Sequence, residues 1–177
     1  MAEKIYLIRH GESVANTQDI AAGWMDTPLS DRGRQQAAQT RDILAGRGGK
    51  PTVMVHTGLL RTFETAEIIN AHLNLPMLEM RDLMEQNFGD WQGGPWARVH
   101  EGLEKDETPP NGESHAEFTA RIMRGMAELE KLSGIIWAVT HGIVIKTLLR
   151  QYNADVIPIT NCMICEFEPN TKQIRII

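Results

Sequence analysis

The stretch "KIYLIRHGES", residues 4–13, decides how the rest of the chain is read. Ile5, Tyr6, Leu7 and Ile8 are an unbroken apolar run, the pattern of a short strand buried on both faces. Arg9 and His10 follow side by side, and the chain turns at Gly11. Two basic groups thus sit at the mouth of a hydrophobic strand, in a chain whose formal net charge is −5.

Two other strand ends repeat the theme. "GIIWAVTHG", residues 134–142, is a buried strand that delivers His141 just before Gly142. "PTVMVHT", residues 51–57, ends on His56, and Arg61 follows in the first turn of the next predicted helix. In open α/β sheets, ligands bind beyond the carboxyl ends of the strands. Helix N-termini there add backbone N–H groups and partial positive charge. Arginines, histidines and helix N-termini gathered at one sheet edge would make an anion site, with phosphate the natural ligand. Gly142, lacking Cβ, lets backbone and ligand approach closely. A strand-end histidine can equally be a hydrogen-bonded core residue, and spacing alone leaves both uses open. His72 and His100, on predicted helices, and His115, near a helix start, read as structural or surface residues.

Elsewhere, strand and helix signals alternate. Ser30 caps a predicted helix with Gly33, Ala37, Thr40 and Leu44 on one face. A helix from about Leu59 carries Phe63, Ala66 and Leu73 among its buried positions. "MLEMRDL" reads as a weaker strand. Phe118, Ile122, Met126, Leu129 and Leu132 mark a long amphipathic helix. "IVIKTLLRQY" reads as a helix, and "CMICEFE" with "QIRII" as a closing hairpin. This alternation predicts an α/β sandwich with a mainly parallel central sheet. At 177 residues one domain is expected, spanning 1–177, with a Gly- and Pro-rich insert around 85–112 as a short cap.

Composition narrows the function. With 18 Lys and Arg against 23 Asp and Glu, no basic stripe marks a nucleic-acid binder. No apolar run reaches membrane-spanning length, and the first dozen residues show no signal-peptide pattern, so a cytoplasmic chain is expected. Cys162 and Cys165 have redox or metal spacing. Residues three apart on a strand face opposite ways, however, so both read as small structural residues.

"RHGES" resembles the signature of the histidine phosphatase superfamily, the phosphoglycerate mutase-like family, and further blocks follow in order. Asn16 matches the asparagine after the signature. "DTPLSDRGRQQA" is similar to the family's proline, leucine, glycine, glutamine and alanine block. "TGLLRTFETA" resembles S-x-L-x-R-A-x-x-T-A, with Thr57 and Thr62 replacing the usual serine and alanine. "LMEQNFGDWQG" resembles the acidic block, "NGES" is typical, and "VTHG" matches the second histidine. The blocks span residues 5–142.

The resemblance implies a three-layer α/β/α sandwich and a metal-free phosphatase working through phosphohistidine. His10 would be the nucleophile. Arg9 and Arg61 would hold the phosphoryl oxygens, with His141 a further donor. Asn16, Gly23 and Gly142 would complete phosphate binding. Glu85 would be the general acid, with Asp90 a rival. No metal or other cofactor is implied. The expected partner is a small phosphorylated substrate, not nucleic acid or membrane, and a homodimer stays open.

Departures from the mutases of the family favour a phosphatase. Gln86 and Phe88 stand where E-R-x-Y-G has Arg and Tyr, and Ala22-Gly23-Trp24 stands where the mutases have Thr-Gly-Trp. No Arg-Arg pair follows Glu85. "NFGDWQG" with "PPNGES" is similar to alpha-ribazole phosphatases and to broad-specificity phosphatases of the family. Phe88, Trp91 and Trp96 either wall the site or fill the insert's core. Mutase-type transfer and a non-catalytic phosphate-binding member of the fold are the alternatives. A hydrolase with His10, His56 and His141 as metal ligands is disfavoured by Arg9, which would repel a dication.

Overall fold

The computed structural model describes residues 1–47 and 49–177. Six strands make one sheet: β1 (Ala2–Arg9), β2 (Pro51–His56), β3 (Met77–Glu79), β4 (Gly134–Thr140), β5 (Ile164–Glu168) and β6 (Gln173–Ile176). Six helices accompany them: α1 (Val14–Thr17), α2 (Asp31–Ala45), α3 (Leu60–Asn70), α4 (Trp96–Glu104), α5 (His115–Lys131) and α6 (Gly142–Gln151). The strand order is β3-β2-β4-β1-β5-β6. β3, β2, β4 and β1 are parallel neighbours, β5 runs antiparallel to β1, and β6 closes a hairpin with it. This is the predicted three-layer α/β/α sandwich.

The apolar run of β1 serves two cores because alternate side chains leave a strand on opposite faces. Ile5 and Leu7 pack with Ile136 and Ala138 of β4 against α5 and α6, through Phe118, Ile122 and Leu148 among others. Tyr6 and Ile8 pack with Trp137 and Val139 on the other face, against Leu44 of α2 and Ala66 and Ile69 of α3. A third, small cluster of Ala21, Phe88 and Val99 joins the loop after α1 to the insert that carries α4. Among the described residues, no helix is long and apolar enough to cross a membrane.

α2 forms as its sequence predicts. The Ser30 hydroxyl accepts from the Gly33 N–H at 3.0 Å, and Gly33, Ala37, Thr40 and Leu44 are the buried positions. Three expectations need correcting. Leu73 lies beyond the end of α3 and is 36% exposed, because α3 stops at Asn70, whose side chain instead bonds both backbone groups of Leu75. Only three residues of "MLEMRDL" form strand, since Arg81–Leu83 tighten into a 3-10 turn. Cys162 sits before β5 with φ of +60°, so the two cysteines do not share a strand; both are free, and burial raises their thiols to about 11 and about 12.

The turn after β1 is held by close backbone contact with α2. A Cβ on Gly33 would lie 2.0 Å from the Glu12 carbonyl oxygen, and one on Gly11 would lie 2.5 Å from the Gly33 carbonyl oxygen. Neither neighbour is a flexible side-chain tip, so the backbone itself would have to move. Gly33→Ala should therefore destabilise the fold by about 1–3 kcal/mol, as overpacking does. Gly46→Ala, where the nearest contact would be 3.6 Å, should change stability by under about 1 kcal/mol. Urea unfolding midpoints of the two variants check the contrast.

Candidate active site

The parallel register of the two central strands explains why residues 131 positions apart meet. Arg9 of β1 pairs with Thr140 of β4, and the His10 N–H donates to the Thr140 carbonyl at 3.0 Å. The next residue on each strand is a histidine, and the two rings lie edge to face with centroids 5.3 Å apart. Arg61 enters from the first turn of α3, and Glu85 from the segment following the 3-10 turn.

His10 is 4% exposed, and its Nδ1 lies 2.7 Å from the Gly11 carbonyl oxygen. A carbonyl only accepts, so Nδ1 carries the proton, and a neutral ring has its lone pair at Nε2. Burial, then Arg61 and Arg9, hold the pKa of His10 well below 6.5, so the ring is neutral near pH 7.

His141 has a fixed proton arrangement of its own. The Thr62 hydroxyl donates to the Leu59 carbonyl at 2.7 Å. Thr57 Oγ1, 2.9 Å from Thr62 Oγ1, must then be the donor between the two hydroxyls. Its proton is thereby used, so His141 Nε2, 3.0 Å away, donates to Thr57. His141 Nδ1 is buried without a partner. Burial, then Arg61, also keep this ring neutral.

Both arginines are tied to backbone. Arg61, 2% exposed, donates through Nη1 to Met25 O at 3.0 Å and through Nη2 to Gly23 O at 2.7 Å. Burial lowers its pKa to about 10, still far above neutrality. Arg9 donates through Nη1 to Ile159 O at 2.5 Å, and its buried Nε is unpartnered. Glu85 accepts from the Gln86 N–H at 3.1 Å and the Ile143 N–H at 3.3 Å. Burial raises its pKa against the pull of Arg61, these two N–H groups and Arg9.

Arg9, His10, Asn16, Gly23, Arg61, Glu85 and Gly142 all line one cavity of about 700 Å³. His141 does not; it is fully buried. Asn16 Oδ1 accepts from the Ser13 N–H and from Asn161 Nδ2. The close approach expected of a ligand at Gly142 is made by Arg9, whose Nε would lie 3.3 Å from an added Cβ. Asp90 lies away from the cavity, exposed, with both its oxygens facing Asn111 Nδ2. His56 also lies outside, its Nδ1 accepting from the Gly58 N–H. Of the three aromatics, Phe88 and Trp96 line the cavity and Trp91 does not; Trp91 lies under Arg98. Among the described residues, no group of three or more His, Cys, Asp or Glu is placed to hold a metal ion.

Several participants escape a reading of the sequence. His100 and His115, taken above as structural or surface residues, line the cavity. Asn161 Nδ2 donates to the His10 carbonyl, and the Cys162 N–H bonds the Arg9 carbonyl at 3.1 Å. Arg121 of α5 donates to the carbonyls of Asp82, Met84 and Glu85 and to both oxygens of Glu113, fixing the segment that carries Glu85. Helical spacing from Phe118 marks Arg121 as a near-buried position, the one hint the sequence holds.

The depressed histidines have a consequence for stability. Folded His10, His56 and His141 protonate below their usual value, so the unfolded chain binds more protons below about pH 6.5. Stability should fall on acidification by up to about 1.4 kcal/mol per pH unit for each such histidine. Glu85, with its raised pKa, works the opposite way at lower pH. His10→Gln should flatten the slope between pH 6.5 and 5 by about one proton. Denaturant titrations at several pH values measure it.

A family model described as histidine phosphatase superfamily, branch 1, matches residues 5–177. The uncharacterized phosphatase PhoE of Bacillus subtilis is 34% identical over 151 residues, 83% of this chain and 76% of that protein. The adenosylcobalamin/alpha-ribazole phosphatase of Escherichia coli is 29% identical over 164 residues, 84% of this chain and 78% of that protein. Among solved structures, TTHB049 from Thermus thermophilus superposes with a TM-score of 0.77 at 27% identity, covering 97% of this chain and 96% of that one. The chain belongs to the histidine phosphatase superfamily, branch 1, and is a phosphoric monoester hydrolase of that type.

Proposed function

We propose that the chain hydrolyses phosphomonoesters in two transfers through His10, with no metal in the chemistry. One observation carries this reading above the others: commitment of Nδ1–H to the Gly11 carbonyl leaves the Nε2 lone pair free beside the buried guanidinium of Arg61 and the half-buried Arg9. In the first step Nε2 attacks phosphorus, a P–N bond forms, and the ester P–O bond breaks. The departing alkoxide takes a proton from Glu85, which burial makes readier to hold and deliver a proton than an ordinary carboxyl. In the second step water attacks the phosphohistidine and gives its proton to the Glu85 carboxylate. The P–N bond breaks, and inorganic phosphate leaves with the Nε2 lone pair restored.

The remaining residues support the phosphoryl group. Arg9 and Arg61 offset its charge, the work a metal ion does elsewhere. Asn16 and the Gly23 and Gly142 backbones border it. His141 Nδ1 accepts in the neutral ring, so donating to a phosphoryl oxygen requires it to take up a proton. A substrate bound as phosphate monoanion brings one.

Residues 85–112 act as a short cap on a single 1–177 domain, joined to it through the Ala21, Phe88 and Val99 cluster. The cavity is far larger than a phosphoryl group, and Phe88, Trp96 and Ile143 give it apolar surface for a ring or alkyl body. Alpha-ribazole phosphate fits that description, as do other small organic phosphates.

Para-nitrophenyl phosphate should be hydrolysed in the presence of chelator, with an acid-labile phosphoenzyme trapped on His10. His10→Ala should lower kcat by at least about a thousandfold. Glu85→Gln should slow alkyl phosphates by about 10²–10⁴-fold and the nitrophenyl ester, whose leaving group needs no proton, by far less. Full turnover in His10→Ala, or activity lost to chelator and restored by zinc, would overturn the reading.

A further inference from the structure

α6 leaves the phosphate end of the cavity and runs along its wall. Gly142, Lys146 and Arg150, at i, i+4 and i+8, all line the cavity and form one stripe on the helix. At about 1.5 Å per residue, Lys146 lies about 6 Å and Arg150 about 12 Å beyond Gly142 along the axis. Helical side chains lean toward the N-terminus, which carries the Lys146 ammonium back toward the phosphate end. Among the described residues, neither cation has a carboxylate partner. Lys146 is half-buried all the same.

The cap wall differs. Its Glu107 is paired with Arg98 at 2.9 Å, and its Glu104 lies 3.7 Å from His100. Glu107 thus has a cation of its own, and Asp106 on the same wall has none among the described residues, whereas on α6 it is two cations, Lys146 and Arg150, that stand without an acid beside the space a substrate body would fill. Arg9 and Arg61 already flank His10, so the phosphoryl group does not need Lys146. The missing Arg-Arg pair after Glu85 removes one means of holding a second anion, but α6 offers another from a different wall.

We propose that Lys146 and Arg150 form a second anion subsite, and that the substrate is a phosphomonoester bearing a further anionic group, a carboxylate or second phosphate, roughly 6–12 Å from the transferred phosphorus. The inference rests on the phosphatase reading above and narrows its small organic phosphates to those with a second anionic group, which alpha-ribazole phosphate lacks. Lys146 supplies the nearer and more enclosed charge, and Arg150, exposed at the mouth, adds a second donor and draws anions inward.

The test compares 4-carboxyphenyl phosphate with 4-carbamoylphenyl phosphate, two aryl esters of similar shape that differ in charge. For the wild-type chain, kcat/KM should favour the acid over the amide, chiefly through KM, and added salt should shrink the preference. Lys146→Gln should reduce the acid-to-amide ratio by about tenfold, Arg150→Gln by about threefold, and Lys146→Glu should invert it. Circular dichroism and turnover of the amide verify that each variant is folded. If both esters are hydrolysed and the ratio stays within twofold across the variants, the subsite is overturned and the phosphatase reading stands. If the wild type hydrolyses neither ester nor para-nitrophenyl phosphate, the phosphatase reading fails and the subsite falls with it.

Discussion

Burial of two guanidinium groups beside a histidine sets the terms for the site. Arg61 has almost no exposed surface, and Arg9 is enclosed enough for burial to lower its pKa. Charge buried this deeply is tolerated when its hydrogen bonds are met and an opposite charge stands near. Backbone carbonyls of Gly23, Met25 and Ile159 meet part of the first need. Glu85 is the carboxylate that acts on both arginines, and burial weakens its hold on a negative charge. Around His10 two guanidinium groups therefore share one carboxyl that burial pushes toward its neutral form, an imbalance that the phosphoryl group of the proposed reaction would offset. Burial first, and then the same two cations, keep His10 neutral, so the groups that would bind the anion also help to free the lone pair that the proposed reaction uses.

The sheet turns that electrostatic arrangement into fixed geometry. His10 and His141 each follow one member of the registered pair Arg9 and Thr140, so a one-residue slip between β1 and β4 would separate the rings and move every core side chain to the wrong face. Behind β1, the segment 159–162 braces Arg9 and His10 through four backbone or amide contacts. The close crossing of Gly11 and Gly33 holds the turn from the α2 side. A side chain at a strand end, supported on both sides, is held more accurately than one on a free loop, which suits the nucleophilic role proposed for His10.

How much of this a sequence shows depends on the range of the interaction. Strand, histidine, glycine, helix is a local pattern, so His10 and His141 could be found, as could Arg61 one turn into α3. The Ser30 cap and the stripe on α2 are equally local, and the helix formed as read. The adjacency of β1 to β4 is a pairing choice among six strands that no local pattern fixes, and it is seen only in the sheet itself. Glu85 was placed by resemblance, because the Arg121 and Glu113 clamp that fixes its backbone is tertiary. Asn161 and Ile159 sit in a loop with no motif, where backbone carbonyls carry the contacts. Cys162 falls outside the strand because the alternation in the sequence starts two residues before β5, at a position whose positive φ is not strand backbone.

α6 ties these levels together. Its first-turn Ile143 N–H donates to Glu85 and favours the charged carboxylate, while burial pushes that carboxyl toward its neutral form. A group held between those opposed influences exchanges its proton at modest cost in either direction, as the acid-and-base role proposed for Glu85 requires. The helix N-terminus helps the ionised form without adding a third guanidinium, which would hold the carboxylate ionised and spoil the acid step. Further along the same helix, cations are free of that restriction because several residues separate them from Glu85. Under the two proposals, one element tempers the proton-transfer group at its start and reads the substrate's charge along its length.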